Sequence, residues 1–301
     1  MKHLLTFIIV SVVALAPLSA DAVTLDRQYR FAGDHVADLL GHSVQFAGDV
    51  NHDGTPDIIA GAYTNRDDRP NYARVYSGSD ASVLHTFVTN EVRDGFANSV
   101  AGAGDVNRDG YDDVIVGASS NGPTGRAIVY SGLDGSVLWQ VAGTDSFAGC
   151  GETVTGVGDL NHDDYADFAV SSPFAVTPIE PFGRVQVFSG RDLSVLHEFR
   201  GVERFGWYGR GLCNAGDEDG DGTNDIAVSA FGENALAQDR GRVRLYSGAD
   251  GEFIRDFEGP HSYCLFGLGN SLACVGDING DGRADLGIGS RGASIGVASS
   301  G

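Results

Sequence analysis

Nine residues, Asp277-Ile278-Asn279-Gly280-Asp281-Gly282-Arg283-Ala284-Asp285, place oxygen-bearing side chains at their first, third, fifth and ninth positions. The pattern returns four times: at Asp49, Asn51, Asp53 and Asp57, at Asp105, Asn107, Asp109 and Asp113, at Asp159, Asn161, Asp163 and Asp167, and at Asp217, Asp219, Asp221 and Asp225, matching Asp277, Asn279, Asp281 and Asp285. Carboxylates crowded on a short turn repel one another unless a cation lies among them. Hard oxygen donors suit Ca²⁺, which accepts about six to eight of them in an adaptable shell. The seventh residue of each loop (Thr55, Tyr111, Tyr165, Thr223, Arg283) is expected to offer its backbone carbonyl. A glycine at the sixth position (Gly54, Gly110, Gly222, Gly282) permits the left-handed turn, and only Asp164 replaces it.

The EF-hand begins in the same way but needs a glutamate at its twelfth position, on a departing helix. Here that place is held by Ala60, Val116, Val170, Val228 and Ile288, each in a short apolar run such as Asp113-Val114-Ile115-Val116-Gly117-Ala118. Strands therefore leave these loops. Solvated acidic turns would account for one such copy but not for five with the same ligand positions.

The elements that must position the loops repeat with them. Loop starts are separated by 56, 54, 58 and 60 residues. Each unit carries four short apolar runs. In the second unit they are Asn98 to Gly102 and Val114 to Gly117 on either side of the loop, then Ala127 to Gly132 and Ser136 to Trp139. Short runs between turn residues, with no sustained helical period, predict four antiparallel strands per unit. A Tyr-Ser-Gly ending recurs from Tyr76, Tyr130 and Tyr246, and as Phe188-Ser189-Gly190; Asp80, Asp134, Asp192 and Asp250 then mark the turn into a fourth strand. Five such units predict an all-β chain, a β-propeller of five four-stranded antiparallel blades with the Ca²⁺ loops between the first and second strands. Asp21 to Leu25 resembles Asp134 to Leu138 and would complete the last blade after Ser294 to Ser300; a segment of a longer ring is the alternative.

Residues 1–20 read as a secretory signal peptide: Lys2 and His3 precede an apolar run from Leu4 to Leu15, and Leu18-Ser19-Ala20 suits cleavage after Ala20. The run is short for a membrane span and no second one follows, so 21–301 is expected as a secreted or periplasmic propeller domain without a membrane anchor. The chain holds 20 basic and 41 acidic residues, a net charge of −21. Nucleic acid is an unsuitable partner for that surface. Up to five Ca²⁺ would offset much of the charge, because 16 of the acids stand at loop ligand positions. Cys150, Cys213, Cys264 and Cys274 match no zinc spacing; they fit buried small residues or one bridge, and three pairings are open.

The loops, the aromatic-glycine pairs Phe205-Gly206 and Phe266-Gly267, and the pairs Gly61-Ala62 and Gly117-Ala118 resemble FG-GAP repeats, the blades of the integrin α N-terminal propeller and of secreted bacterial proteins. The resemblance covers essentially 21–301. It implies a propeller with structural Ca²⁺ on one face and extracellular binding as its commonest role. The chain departs from integrins in having five units where their propellers have seven blades, in Asp164, and in Ser171-Ser172 where a Gly-Ala pair belongs. It shows no inserted ligand-binding domain, membrane span or leg region, so an integrin subunit is not expected.

On the face opposite the loops fall the long, irregular segments Tyr63 to Tyr72, Pro173 to Phe182, Glu203 to Tyr208, Phe231 to Arg240 and Pro260 to Phe266. Arg66, Arg69, Trp207, Tyr208, His261 and Tyr263 are the binding candidates there, since aromatics and arginine dominate hot spots. Catalytic signals are weak. Gly292-Ala293-Ser294-Ile295-Gly296 matches the nucleophile-elbow pattern without a following Asp or His, and the histidines are scattered, with His52 and His162 at the loops' fourth position, which tolerates varied residues. The expected function is a Ca²⁺-binding extracellular module for protein or glycan, without catalysis. An exported hydrolase or lyase acting on polysaccharide or phospholipid is the alternative, and a purely structural matrix component a third possibility.

Overall fold

The computed structural model describes residues 8–10, 29–35, 37–64, 69–89, 91, 94–120, 122, 124–144, 148–175, 183–203, 206–230, 232, 241–258 and 268–290. All of its regular elements are strands. Four consecutive units each form a four-stranded antiparallel sheet in sequence order. The first holds β3 (Leu40–Gly48), β4 (Asp57–Ala62), β5 (Tyr72–Tyr76) and β6 (Val83–Val88). The second holds β7 (Phe96–Gly104), β8 (Asp113–Ala118), β9 (Arg126–Tyr130) and β10 (Val137–Ala142). β11 (Val154–Gly158), β12 (Asp167–Ser172), β13 (Arg184–Phe188) and β14 (Val195–Arg200) make the third. β15 (Tyr208–Gly216), β16 (Asp225–Ala230), β17 (Arg242–Tyr246) and β18 (Phe253–Glu258) make the fourth. The fifth unit contributes the pair β19 (Leu268–Cys274) and β20 (Leu286–Ser290); its expected third strand lies outside the described residues.

The sheets stack face to face, first strand against first strand. This arrangement explains the unbroken apolar second strands. Every residue of β4, β8, β12 and β16 is buried, because neighbouring elements cover both faces of each strand and leave no wet face. The core accordingly lies between blades: Val50, Ile59, Val75 and Phe87 of the first pack with Phe96, Val100, Val116 and Tyr130 of the second. Fourth strands expose alternate residues, as edge strands with one wet face must.

Glycine at the head of the Gly-Ala pair follows from the same closeness. A Cβ at Gly61 would run into the Ala97 carbonyl, and one at Gly117 into that of Gly151, both in the next blade. Ser171 escapes this, and its hydroxyl instead accepts the Thr153 N–H at 2.9 Å. A second pair, of an aromatic or apolar residue with a small one, opens the first strands themselves. The first strands open on Phe96-Ala97 and Tyr208-Gly209, with the second residue in the left-handed region, three residues after Phe205-Gly206 in the fourth unit. In the fifth, β19 opens on Leu268-Gly269, whereas Phe266-Gly267 lies outside the described residues.

The N-terminal side holds a further pair, β1 (Ile8–Val10) with β2 (Tyr29–Phe31). β2 stands to the first blade as a fourth strand stands to the blade after it. Phe31 lies 4.2 Å from the Tyr76 ring, as Phe87 does from Tyr130, and Phe199 lies 4.3 Å from Tyr246. Tyr29 Oη donates to Ser79 O at 2.8 Å, where His85 Nε2 donates to Gly132 O at 2.6 Å and Trp139 Nε1 to Gly190 O at 2.8 Å. The strand that plays this part is therefore Tyr29–Phe31; Asp21 to Leu25 lies outside the described residues. β1 falls within the expected leader, where an Ile-Ile-Val run has high strand propensity. Among the described residues no ladder joins β19 or β20 to β3 or to β1 and β2, and Phe46 on β3 is 61% exposed.

Candidate metal loops and the opposite face

The first strand of each four-stranded blade ends in a register shift, at Phe46/Gly48, Gly102/Gly104, Gly156/Gly158 and Asn214/Gly216. Such a bulge bends the strand and aims it into the turn that follows. The aspartate-rich loop begins one residue later and ends at the first residue of the second strand.

Within the loop, the first aspartate organises the backbone. Asp49 Oδ1 accepts the Asp53 N–H at 2.9 Å and Oδ2 accepts that of Gly54 at 2.8 Å. Asp105, Asp159, Asp217 and Asp277 accept the corresponding two N–H groups in their own loops at 2.8–3.1 Å. The third residue also caps the fifth N–H, from Asn51 to Asn279, and the fifth accepts from the seventh, as Thr55 N–H to Asp53 Oδ1 at 2.9 Å. Oxygens of the first, third and fifth side chains are thereby held against the loop's own N–H groups. In the fourth loop, carboxylate oxygens of Asp217, Asp219 and Asp225 all lie within 4.8 Å of one another. Three like charges at that separation are a donor set for a hard divalent cation. The other loops carry asparagine at the third position and so concentrate less charge.

The ninth aspartate does something the spacing did not announce. Asp57 is fully buried; its Oδ2 accepts the Val50 N–H at 2.8 Å and its Oδ1 accepts that of Gly78 at 2.9 Å. Asp113 bonds in the same way to Val106 and Gly132, Asp167 to Leu160 and Gly190, and Asp225 to Glu218 and Gly248. This carboxylate ties the loop to the Tyr-Ser-Gly end of the third strand, which explains why the two motifs recur together. Burial pushes Asp113 up to about 7 and Asp167 and Asp225 up to about 6, against the opposing pull of their backbone donors. A cation beside such a group would favour its ionised form.

The sixth position is left-handed in every loop, from Gly54 at +81° to Gly222 at +92°, and Asp164 adopts it at +69°. The fourth position is left-handed as well: His52 at 56°, Arg108 at 61°, His162 at 58°, Gly220 at 85° and Gly280 at 78°. It is therefore not simply tolerant, and the two glycines were the sequence signal for it. The predicted third-to-fourth strand turns are present, with Asp80, Asp134, Asp192 and Asp250 each accepting the N–H two residues on at 2.9 Å.

On the opposite face the candidates divide. Tyr208 is wholly buried, its hydroxyl bonded to that of Tyr246 at 2.9 Å, so it is a core residue and not a surface anchor. Its place at the head of a first strand, between two sheets, is the reason. Trp207 is 37% exposed with φ at 46°. Arg69 lies among the described residues, whereas Arg66, His261, Tyr263 and the Gly292 to Gly296 motif do not. Residues that the sequence did not single out stand near Trp207. Arg210 pairs with Glu152 at 2.6 Å, and Asn98 Nδ2 donates to Glu152 O at 3.0 Å, with Asn98 and Arg210 near the starts of β7 and β15 and Glu152 just before β11. Cys150 and Cys213 are buried, Cys274 is exposed, and none of the three is bridged; Cys264 lies outside the described residues. Among the described residues no helix is long and apolar enough to cross a membrane.

Blades of four antiparallel strands, each with an aspartate loop between its first and second strands, define a repeat protein of the β-propeller class. The FG-GAP repeat family model matches residues 96–130 and 151–188. Integrin alpha-4 of Xenopus laevis is 30% identical over 210 residues, 64% of this chain and 20% of that protein. Integrin alpha-8 of Mus musculus is 30% identical over 223 residues, 67% of this chain and 20% of its own length. Integrin alpha-PS5 of Drosophila melanogaster is 32% identical over 173 residues, 51% of this chain and 16% of its own. The chain is an integrin-α-like FG-GAP repeat protein that spans about a fifth of the length of such relatives.

Proposed function

We propose that this protein is an exported, Ca²⁺-stabilised β-propeller module that binds an extracellular protein through the face opposite its metal loops. The observation that carries the reading is the separation of the two faces. Five aspartate loops crowd one end of the blades, while Trp207 sits half-exposed at the other in a backbone conformation that a bulky residue rarely adopts. The same place in other blades is taken by Gly95 and Gly149, which hold the turn without strain, and by Leu39, 52% exposed at φ 54°. Large apolar side chains kept exposed at a glycine position fit a recognition role better than a folding one. The integrin relatives favour protein as the partner, and glycan is the second class to be screened.

Asp, Asn and Asp at the first, third and fifth positions, with the seventh carbonyl and the ninth carboxylate, would hold each cation. Bound Ca²⁺ neutralises carboxylates that otherwise repel and fixes the loops against the third strands. Cleavage after Ala20 and export belong to the same reading. Protein and glycan arrays probed with the purified 21–301 chain, with Ca²⁺ and with EDTA, test it. Binding of a protein ligand that Trp207→Ala weakens at least tenfold is expected; a ligand retained at full affinity by that variant would place recognition elsewhere.

A further inference from the structure

We propose that the loops bind cations cooperatively, neighbour to neighbour, through groups that each loop lays upon the next; this rests on the metal reading above. Every junction between consecutive loops is bridged. The His52 ring of the first lies 5.6 Å from the Tyr111 ring of the second. Arg108 of the second pairs with Asp164 of the third at 2.9 Å. His162 Nε2 of the third lies 3.3 Å from Thr223 Oγ1 of the fourth. Arg283 of the fifth donates to Glu218 O of the fourth at 2.7 Å.

The first three bridges start from the left-handed fourth position, which turns its side chain out of its own loop and towards the next. They land on the sixth or seventh residue, beside the turn that brings the seventh carbonyl inward. A second, independent route runs through the backbone. The Asp112 N–H, at the eighth position, donates to the carbonyl of Asp49, and Asp112 Oδ2 accepts the Asp49 N–H at 2.7 Å; the Ala166 N–H donates likewise to Asp105 O at 3.1 Å. Asp49 and Asp105 are the first ligand residues of the preceding loops. A cation that orders one loop therefore also holds the anchoring ligand of its neighbour, and the ordering entropy of the shared contacts is lost once rather than twice. Linkage makes the effect reciprocal along the array.

Tyr111 and Tyr165, at the seventh positions of the second and third loops, provide a local reporter, because a tyrosine beside bound Tb³⁺ sensitises its emission. The full chain is loaded with Tb³⁺ and titrated with Ca²⁺, with calorimetry giving the number of cations bound. A Hill coefficient above one is expected. The triple variant His52→Gly/Arg108→Gly/His162→Gly, which removes the side-chain bridges at three of the four junctions and leaves the backbone route, should lower the coefficient with the cation number unchanged. Its fold is safeguarded by Gly220 and Gly280, which show that glycine accepts this left-handed turn. Arg108→Lys, which keeps a cation opposite Asp164, should retain cooperativity. A coefficient of one in the unaltered chain overturns the coupling alone, and the same coefficient in the triple variant overturns its passage through these side chains. No bound cation at all sinks the metal reading and the coupling with it.

Discussion

The third and fourth loops, Asp159 to Asp167 and Asp217 to Asp225, follow the same backbone path at different cost. In both, the first aspartate accepts the N–H groups of the fifth and sixth residues at 2.8–3.1 Å. In both, the ninth is buried against the end of the third strand. The fourth loop places glycine at its two left-handed positions and aspartate at its third. The third loop places His162 and Asp164 in the left-handed region and has Asn161 where the other has Asp219. The loop's shape is thus set by hydrogen bonds to the first aspartate, while the third, fourth and sixth residues adjust charge and strain. The fourth loop should be the tightest cation site and the third the weakest.

Removing the cations altogether should have the largest effect. For dissociation constants of roughly 10⁻⁴ to 10⁻³ M, about 10 mM Ca²⁺ stabilises the fold by about 1.4–2.7 kcal/mol per occupied loop. EDTA should therefore lower the melting temperature sharply and Ca²⁺ should restore it. In a stepwise Ca²⁺ titration the third loop, followed through Tyr165-sensitised Tb³⁺, should be the last to fill. Identical melting curves in EDTA and Ca²⁺ would break the comparison at its root.

Next comes the ninth position, where the two loops should not differ. Asp167→Ala and Asp225→Ala each leave two buried backbone N–H groups without an acceptor, at a cost of roughly 2–6 kcal/mol. The loss should persist in EDTA, since it concerns hydrogen bonds within the protein. Urea denaturation of both variants measures it, and a loss confined to Ca²⁺ would make this residue a ligand and nothing more.

What could be read from the sequence follows the same division between side-chain and backbone signals. Ligand spacing and the four apolar runs locate all five loops and all four strands of each complete blade, because both depend on local periodicity. The second structural duty of Asp57 and its equivalents was not legible, since its partner Gly78 lies 21 residues on. Tyr208 looked like a rim aromatic because chain order cannot show that a residue at the head of a first strand is covered by two sheets. The left-handed fourth position was visible only in Gly220 and Gly280, and His52, Arg108 and His162 concealed it. Tyr29–Phe31 escaped as a strand because its role is defined by ring stacking and a hydrogen bond onto the first blade.

Charge at the third position separates the two loops more modestly. Asp219→Asn gives the fourth loop the ligand set of the others and removes one of the three converging carboxylates. Ca²⁺ affinity at that site should fall about tenfold, equivalent to about 1.4 kcal/mol, while melting in EDTA should rise or hold because repulsion is relieved. A fall in both conditions would mean that Asp219 supports the fold and not the cation.

The smallest effect should come from Asp164→Gly, which gives the third loop the sixth residue of the fourth. Holding a non-glycine residue in the left-handed region costs about 1 kcal/mol, and Asp164 sits there at +69°. Its ion pair with Arg108 is exposed on both sides and contributes little. Relief of strain should therefore outweigh loss of the pair. Affinity at the third loop should tighten about fivefold, the factor that corresponds to about 1 kcal/mol, and narrow its gap to the fourth. Calorimetric titration of the variant beside the unaltered chain decides the matter. Equal or weaker Ca²⁺ binding would show that the exposed carboxylate, by raising the local negative potential, matters more than the backbone angle, and the ranking of the two loops would then rest on charge alone.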